Sequence, residues 1–393
     1  MDSCTVHFIP AEAGDCLVLE FSNRDCIIID GGYKSTYKNE LKPLLIKLKE
    51  KGCKIILLIV THIDQDHIEG AIELIKENGE ATNPQIIEIE NIWFNGFFNT
   101  LFMNDIFSER RKNVIEKKQK EKMRLVKAEL NMQQRTGIPG NISARHSKQF
   151  EELCVEYGYS VNKQFFNHIV MRTSEDVDEV LSNKIKISDC FFTVLSPNKM
   201  LLDKLAKEFD KKMRKIFGAE YSLSDNKDFS SIFELLMELH CDNNDFSSNI
   251  SAMGKNIERW IGTSTLAKMN DINNASIVVE IEYKHLRFLF TGDSDSYNWE
   301  SYIKNEYDLI KFSHHGTTQP NIKLIEKSRS NHALISTNGR RNHPENDFLA
   351  QLILNGNKNL YFNYDIKQKH ILLNCKEKYK FNSIFCQREI EIR

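Results

Sequence analysis

The feature that most constrains the fold is an apolar hexapeptide followed at once by a cluster of polar side chains. Residues 55–60 are all apolar and rich in β-branched types, which is typical of a strand buried on both faces. Residues 61–67 read Thr-His-Ile-Asp-Gln-Asp-His, and helical spacing begins at residue 68. A buried strand that leads through a short turn into a helix predicts an α/β fold with parallel crossovers.

Four side chains in this turn can bind a divalent metal: His62, Asp64, Asp66 and His67. The alternative is an ordinary polar loop in which Asp64 or Asp66 caps the following helix. Capping needs one such residue, whereas this turn supplies four donors. Ligands in α/β folds bind at the carboxyl ends of strands, so we expect a metal site here.

Composition narrows the class of protein. The 393 residues are 41% hydrophobic, enough for one large domain with insertions or for two domains. The net charge of −2 does not require a nucleic-acid partner. The nine cysteines are scattered without a Cys-x-x-Cys pair, which argues against a zinc ribbon or a disulfide framework and suits a reducing cytosol. Without a signal peptide or a membrane-length apolar run, we expect a cytoplasmic protein with no membrane partner.

Later strand ends repeat the opening pattern, in which Asp or His follows an apolar run beside glycine. These ends are Asp30-Gly31-Gly32, Gly292-Asp293 and His314-His315-Gly316, and His343-Pro344 follows a further strand. The two glycines after Asp30 indicate either a close backbone approach or an ordinary turn.

The remaining pattern predicts alternating strands and helices. Further strands are expected near residues 26–29, 86–94, 187–195, 276–282, 285–290, 309–312, 333–336, 359–363 and 370–374, and residues 4–21 as a hairpin. Helices are expected at 39–51, 68–78, 143–157, 201–217, 296–305 and 346–354. Pro43 fits only a first helical turn, so the first helix should begin near it.

The sequence changes character at residue 97. Residues 109–127 and 204–215 are rich in Lys and Arg, and both segments are expected to be helical. A solvated surface is the simpler interpretation of these cations; contact with nucleic-acid phosphates is the alternative. Gly137 to Gly140 should end the first of these helices, and Ser143 is a possible cap for the next one.

Taken together, these residues resemble the metallo-β-lactamase superfamily, an α/β four-layer αββα sandwich that holds one or two metals at one edge. Its signature, His-x-His-x-Asp-His, stands here as His62-x-Asp64-x-Asp66-His67. The sequence is most similar to the branch that includes the nuclease-like domain of competence DNA-uptake proteins, in which Asp replaces the second His. That branch also carries motifs found here as Ala13-Gly14-Asp15, Ile29-Asp30-Gly31-Gly32, Thr291-Gly292-Asp293, His314-His315-Gly316 and His343-Pro344.

The resemblance covers about residues 1–96 and 187–345. It implies that residues 1–96 form the first half of the fold, 97–185 a mainly helical insertion, and 186–393 the second half, with a further insertion at about 200–262. A stand-alone member with such an insertion is similar to metallo-hydrolases of bacterial defence operons.

The resemblance also implies roles for individual residues. His62 and Asp64 would bind one divalent metal, Asp66 and His67 a second, and Asp293 both; the carboxylate-rich set admits Zn²⁺ or Mn²⁺. His314 is expected as the remaining ligand of the second metal, with His315 as the alternative. His343 would be a ligand or the acid that protonates a leaving group, and Asp30 would orient a ligand histidine.

One departure concerns the first metal. The family supplies a further histidine to it, and none stands near Trp93 to Gly96. We interpret His146 and His168, inside the insertion, as structural or surface residues. The first site would then be completed by water or a carboxylate, or would bind its metal weakly.

Three functions are consistent with this reading. The first is a hydrolase with a metal-bound hydroxide oriented by Asp66, acting as a nuclease or phosphodiesterase on DNA or RNA, with helices 109–127 and 204–215 holding phosphates. The second is a small-molecule phosphoester or ester hydrolase. The third is a partner-binding subunit with a vestigial metal site, whose insertion offers Phe97, Phe98, Phe165 and Phe166 to another protein.

Overall fold

A computed structural model of the chain describes residues 2–112, 115–137, 146–224, 227–238, 256–266 and 268–393. Their strands are β1 (Cys4–Phe8), β2 (Leu17–Phe21), β3 (Asp25–Ile29), β4 (Lys54–Val60), β5 (Ile92–Phe94), β6 (Ile185–Ile187), β7 (Cys190–Ser196), β8 (Val278–Tyr283), β9 (Leu286–Phe290), β10 (Glu306–Lys311), β11 (Arg329–Ile335), β12 (Asn359–Phe362), β13 (Asn382–Ile384) and β14 (Glu389–Ile392).

The α-helices of the described residues are α1 (Lys34–Thr36), α2 (Lys42–Glu50), α3 (Gln65–Asn78), α4 (Lys117–Gly137), α5 (His146–Glu156), α6 (Val177–Ser182), α7 (Lys199–Phe217), α8 (Lys227–Glu238), α9 (Asp271–Asn274), α10 (Ile322–Lys327), α11 (Asn346–Leu354) and α12 (Lys369–Tyr379). Shorter helical turns lie at Tyr37–Leu41, Phe98–Phe102, Asp105–Phe107, Phe166–His168, Ile257–Trp260, Ser296–Asn298, Glu300–Tyr302, His314–Gly316, Gln319–Asn321 and Arg340–Asn342.

The strands form two mixed sheets. The first has the order β14-β1-β2-β3-β4-β5, antiparallel as far as β3 and parallel from β3 to β5. The second has the order β13-β12-β11-β10-β9-β8-β7-β6, parallel from β13 to β9 and antiparallel from β9 to β6. The parallel strands of both sheets place the loops that follow them at sheet edges, where chemistry is usually found.

Three apolar layers hold the sheets and helices together. Because neighbouring strand residues point to opposite faces, each sheet buries one face against the other sheet and one against helices. The inter-sheet layer joins Ile27 and Ile59 to Phe290 and Leu309. One outer layer packs β4 on α2, α3, α5, α7 and α8, and the other packs β10 and β11 on α11 and α12. The order helix, sheet, sheet, helix is the expected αββα sandwich.

The helices after β5 share the outer layer of the first sheet. α5 packs on α3, and α8 packs on α4, α5 and α7. Phe97, Phe107, Phe209 and Phe233 form edge and tilted ring contacts between these segments. We therefore propose that the helices of 97–185 and of the segment after β7 act as one added layer. Among the phenylalanines that the insertion could offer to a protein partner, Phe97 is buried and Phe166 is 82% exposed.

Several predicted elements are wrong in type or extent. The predicted strand 370–374 lies in α12, because a run of three apolar residues fits a helix as well as a strand, and here Leu372 and Cys375 face the core. The predicted helix 296–305 is two 3₁₀ turns separated at Trp299, whose φ of −142° is not helical. The predicted strand 187–195 is the hairpin β6–β7, which turns at Ser188 with a φ of 52°.

Two other boundaries differ. In the predicted strand 86–94, only Ile92–Phe94 forms a strand. The backbone of Ile86 and Ile87 forms hydrogen bonds with the Asn78 side chain instead. The helical run expected to begin near Pro43 begins at Lys34, and a π-helical turn precedes α2. The predicted helix break at 138–140 and the cap Ser143 lie outside the described residues.

The parts of the chain that the structure describes include no helix with both the length and the apolar character needed to cross a membrane.

Candidate metal centre

The loops that follow three strands bring the predicted donors to one edge of the sandwich. The turn after β4 carries His62 to His67, the loop after β9 carries Asp293, and the turn after β10 carries His314 and His315. The amide of Ile277 donates to the Thr61 carbonyl at 2.9 Å, so the two sheets are bonded to each other at this edge. The α/β topology therefore unites residues more than 200 positions apart.

Asp293 lies at the middle of the cluster and is 3% exposed. Its Oδ2 lies 3.6 Å from His67 Nε2, 3.7 Å from His315 Nε2, 3.9 Å from His62 Nε2 and 4.0 Å from His314 Nε2. A carboxylate oxygen surrounded by imidazole nitrogens at this spacing is suited to a ligand shared between metals.

A hydrogen-bond network fixes which nitrogen of His62 and His67 is available. Asp30 accepts from the Thr61 amide at 2.7 Å, from Thr61 Oγ1 at 2.8 Å and from His67 Nδ1 at 2.8 Å. Since the Thr61 hydroxyl proton is used on Asp30, Thr61 Oγ1 accepts from His62 Nδ1 at 3.1 Å. Both rings therefore carry a proton on Nδ1, and Nε2 is the nitrogen that is left to bind a metal.

The third histidine is set in the same way. His315 Nδ1 donates to the Ser336 carbonyl at 3.0 Å, which leaves its Nε2 lone pair facing Asp66 at 3.5 Å. The Nε2 atoms of His62 and His67 are buried without a hydrogen-bond partner. Buried polar atoms are normally satisfied, so two unsatisfied imidazole nitrogens beside carboxylates fit a divalent cation.

Donor atoms within 4.8 Å of one another form two groups at the front of the site: His62, His67 and Asp293, and Asp66, His67 and His315. Asp64 Oδ2 lies 3.5 Å from His62 Nε2 and extends the first group. Although Asp64 occupies the N-cap position of α3, its side chain makes no capping hydrogen bond. The capping alternative therefore does not account for this carboxylate.

The charges in the site shift its pKa values in opposite directions. Burial lowers the pKa of His67, but the carboxylates of Asp30, Asp293 and Asp66 outweigh burial and raise it well above its usual value. Burial raises the pKa of Asp293, but His67, His315 and His314 hold it well below its usual value. The site thus holds ionised carboxylates that attract positive charge.

The two consecutive histidines, His314 and His315, differ in how deeply they are buried. His315 is buried, whereas the side chain of His314 is 28% exposed and its Nδ1 lies 3.0 Å from Thr317 Oγ1. Both have left-handed backbone conformations, with φ of 48° and 56°, which are uncommon for non-glycine residues. The ring of His343 lies 5.7 Å from that of His314 and 6.2 Å from that of His315. The donor atom of His315, the alternative to His314 as a ligand of the second metal, lies within 4.8 Å of those of Asp66 and His67.

Near Trp93 to Gly96, where the family's further histidine would stand, the side chain of Asn95 forms hydrogen bonds with the backbone. Its amide donates to the Val170 carbonyl and its oxygen accepts from the Val170 amide. His146 is buried on α5 with its Nε2 3.4 Å from Glu69 of α3, and His168 is exposed. These positions fit the structural and surface roles proposed for the two histidines.

Close backbone contacts hold α3 against the end of β3. The Gly31 amide donates to the His67 carbonyl, and the Gly70 amide donates to the Gly32 carbonyl, both at 2.8 Å. A Cβ on Gly70 would lie 1.9 Å from the Gly31 carbonyl oxygen. The close-approach interpretation of the glycines after Asp30 is therefore the one that the structure favours.

The sequence pattern alone assigns no role to four residues of the site: Asp15, Thr61, Lys311 and Ser336. Lys311 carried a signal, because it is a charged residue in the apolar strand segment 309–312. Ser336 gave no such signal. It acts through its backbone carbonyl and through a hydrogen bond to Gly14, which lies 322 positions away in the sequence.

Part of the chain is similar to a known protein family. Residues 9–121, which include β2 to β5 and the signature turn, match the family model described as the metallo-beta-lactamase superfamily. No curated protein matches the chain. Among solved structures, the metallo-beta-lactamase fold protein YhfI from Bacillus subtilis matches with 7% identity and a TM-score of 0.37 over 100% of this chain and 99% of that one. The chain has the metallo-β-lactamase α/β sandwich fold, which is in general that of metal-dependent hydrolases.

Proposed function

We propose that the protein is a metal-dependent phosphodiesterase that cleaves nucleic acid. The observation that carries this proposal is the position of Asp293 Oδ2, which lies within 4.0 Å of the Nε2 atoms of four histidines, because a carboxylate so placed could serve two metals. Paired metals suit phosphodiester hydrolysis, in which charge develops on both the attacking and the leaving oxygen.

His62, Asp64 and Asp293 would hold the first metal, and Asp66, His67, His315 and Asp293 would hold the second. The short distance from His315 to Asp66 supports placing His315, rather than His314, at the second metal. His314 faces Asp293 from the more exposed side and is our candidate for the missing ligand of the first metal. The mixture of imidazole and carboxylate donors is compatible with Zn²⁺ or Mn²⁺.

The bound metals would supply Lewis acidity and lower the pKa of water, and the chain's own residues would do the rest. Asp30 and Thr61 hold His62 and His67 in the ligand tautomer. His343 lies half-buried beside His314 and His315, a position from which it can give a proton to a leaving oxygen.

Support for a polymeric substrate comes from α4 rather than α7. On α7, Lys199, Lys204 and Arg214 pair with Asp203, Asp271 and Asp210, respectively. On α4, Lys118, Lys120 and Arg124 are exposed, so their charge is available to phosphates. We therefore propose α4 as the main phosphate-binding surface.

The test compares wild type with Asp66→Ala on single- and double-stranded DNA and RNA and on a small chromogenic phosphodiester, with Mn²⁺ or Zn²⁺ added. We expect wild type to cleave a nucleic acid and the variant to lose that activity. In the variant Lys118→Gln/Lys120→Gln/Arg124→Gln, KM should rise for the polymer and stay unchanged for the small diester. Lys211→Gln, an exposed cation of α7 that pairs with Glu208, is the matched control.

Cleavage of the small diester without cleavage of any polymer would contradict the nuclease assignment and favour a small-molecule phosphoester hydrolase. Two bound metals with no phosphodiester cleavage would contradict the phosphodiesterase itself.

A further inference from the structure

A buried lysine lies directly behind the candidate ligands. Lys311 is the last residue of β10, and the strand alternation that sends Leu309 into the inter-sheet layer sends Lys311 inward as well. Its side chain is 2% exposed and forms an ion pair with Asp15, which is 1% exposed. Lysine is almost never fully buried unless it is paired, so the position of this pair invites a functional explanation.

The loop that carries Asp15 contacts ligands from both halves of the fold. The Asp15 amide donates to the Asp66 carbonyl at 3.2 Å. The Gly14 carbonyl accepts from Ser336 Oγ at 2.8 Å, and the Ser336 carbonyl accepts from His315 Nδ1 at 3.0 Å. Anchoring Asp15 therefore anchors the backbone that supports Asp66 on one side and His315 on the other.

The loop also approaches α3 too closely to move freely. A Cβ on Gly14 would lie 2.0 Å from the Asp66 carbonyl oxygen, so the loop fits against the first turn of α3 without space for a side chain. A change in the position of Asp15 would be transmitted to Asp66 through this contact.

The Asp15 carboxylate faces two ligand histidines from behind. Its Oδ2 lies 3.9 Å from His67 Nδ1, and its Oδ1 lies 3.8 Å from His315 Nδ1. Oδ1 is buried without a hydrogen-bond partner. A carboxylate released from Lys311 would compete with Asp30 and Ser336 for the Nδ1 protons and turn the rings, whereas the ammonium holds it at a fixed distance.

We propose that the Lys311–Asp15 pair is a positioning device that holds Asp66, His67 and His315 at the spacing that the second metal requires. The proposal rests on the proposed function only in assuming that a metal binds at these three residues. Lys311 would touch neither substrate nor metal; it would act through Asp15.

The decisive variant is Asp15→Asn/Lys311→Met, which has neither charge. Lys311→Met alone leaves an uncompensated buried carboxylate and is at risk of misfolding, whereas replacing both partners of a buried pair is often tolerated. We expect the double variant to fold and to bind the first metal as wild type does. Its Kd for the second metal should rise about 10- to 100-fold, as for other residues that orient metal ligands.

The readouts are Zn²⁺ titration against a chromophoric chelator, the visible spectrum of the Co²⁺-loaded protein, and kcat and KM on the small diester. A positioning role predicts an altered Co²⁺ spectrum and a lower kcat at little-changed KM. Lys304→Met/Glu280→Gln is the matched control, since it removes a partly buried ion pair on the outer face of the same sheet, together with the Lys304–Glu282 contact. The control should keep both metal affinities and the Co²⁺ spectrum of wild type.

Wild-type metal affinity and an unchanged Co²⁺ spectrum in the double variant would overturn the proposal and leave the phosphodiesterase assignment intact. If the double variant does not fold, Asp15→Glu decides instead: it keeps both charges but lengthens the pair by one methylene, and an unchanged second Kd would likewise overturn the proposal. Failure of wild type to cleave any phosphodiester, with the metal results as expected, would overturn only the proposed function.

Discussion

At the scale of single residues, the site is organised by groups that do not face the metal position. Asp30 accepts three hydrogen bonds, and the two from Thr61 Oγ1 and His67 Nδ1 help decide which nitrogen of His62 and His67 carries a proton. Thr61 Oγ1 in turn accepts a hydrogen bond from His62 Nδ1, and the Ser336 carbonyl accepts one from His315 Nδ1. The direction in which the three Nε2 lone pairs point is thus set from behind.

Removing the Thr61 hydroxyl tests this arrangement. In Thr61→Val, His62 Nδ1 loses its acceptor and the ring is free to rotate or to adopt the other tautomer. We expect the Kd of the first metal to rise about 10- to 100-fold, measured by chelator competition. Thr193→Val, a buried threonine of β7, is the control. Equal metal affinity in Thr61→Val and wild type would show that the tautomer is not set by this hydroxyl.

The donor residues themselves were predictable because each follows an apolar strand, a pattern visible within ten residues of sequence. The choice between His314 and His315 was not predictable in the same way. It depends on a left-handed turn and on Ser336, and neither is encoded in the local pattern. The Asp15–Lys311 contact spans 296 positions and has no local signature beyond an isolated charge in a strand.

At the scale of elements, α3 and the end of β3 form a single support for Asp66 and His67. The helix approaches the strand end through glycines, and the two backbones bond directly. Helix α3 therefore has little freedom to move relative to the sheet.

Substitution of Gly70 separates two opposing effects. Helix propensity alone predicts that Gly70→Ala stabilises the protein by about 1 kcal/mol. The contact of a Cβ with the Gly31 carbonyl oxygen predicts a loss of about 1 to 3 kcal/mol in the free energy of unfolding, because the backbone must shift. Urea denaturation measures the sign, and an increase in stability would contradict the close packing described for α3.

A second element-scale prediction concerns β8, where Glu282 bonds to Lys184 and Lys304. Burial raises the pKa of Glu282, but the two lysines outweigh burial and lower it to about 2 from its ordinary 4.5. Because the pKa is lower in the folded state, the carboxylate stabilises the protein above pH 4.5, and this contribution is lost as the pH falls toward 2.

We therefore expect Glu282→Gln to lower the free energy of unfolding by about 1 to 2 kcal/mol at pH 7, with the difference from wild type shrinking as the pH drops below 4.5. Denaturant titrations at several pH values provide the measurement, with the exposed Glu306→Gln as control. A difference that grows on acidification would contradict the assigned direction.

Element types were predictable wherever the apolar period was long. Strand β4 and helices α3, α7 and α11 lie close to their predicted positions. The failures at α12 and at residues 296–302 occur where apolar runs are short, so that packing against the second sheet decides the conformation.

At the scale of the whole molecule, the site exists only because two sheets meet at one edge. The signature turn belongs to the first sheet, and Asp293, His314 and His315 belong to the second. The bond from Ile277 to Thr61 and the Lys311–Asp15 pair join the halves beside the donors. Contacts between segments so far apart in the sequence are the hardest to predict from local patterns. The αββα architecture was therefore inferred from the family resemblance and not from any single element.

A paired metal centre can be tested by elemental analysis of the metal content of wild type and of Asp293→Asn after equilibration with Zn²⁺ or Mn²⁺. Asp295→Asn, a change of the same kind two residues along the same loop, is the control. We expect about two metals per chain in wild type and in the control, and at most one in Asp293→Asn, because the shared carboxylate is lost. Two metals retained in Asp293→Asn, or none in wild type, would contradict a paired metal centre built around Asp293.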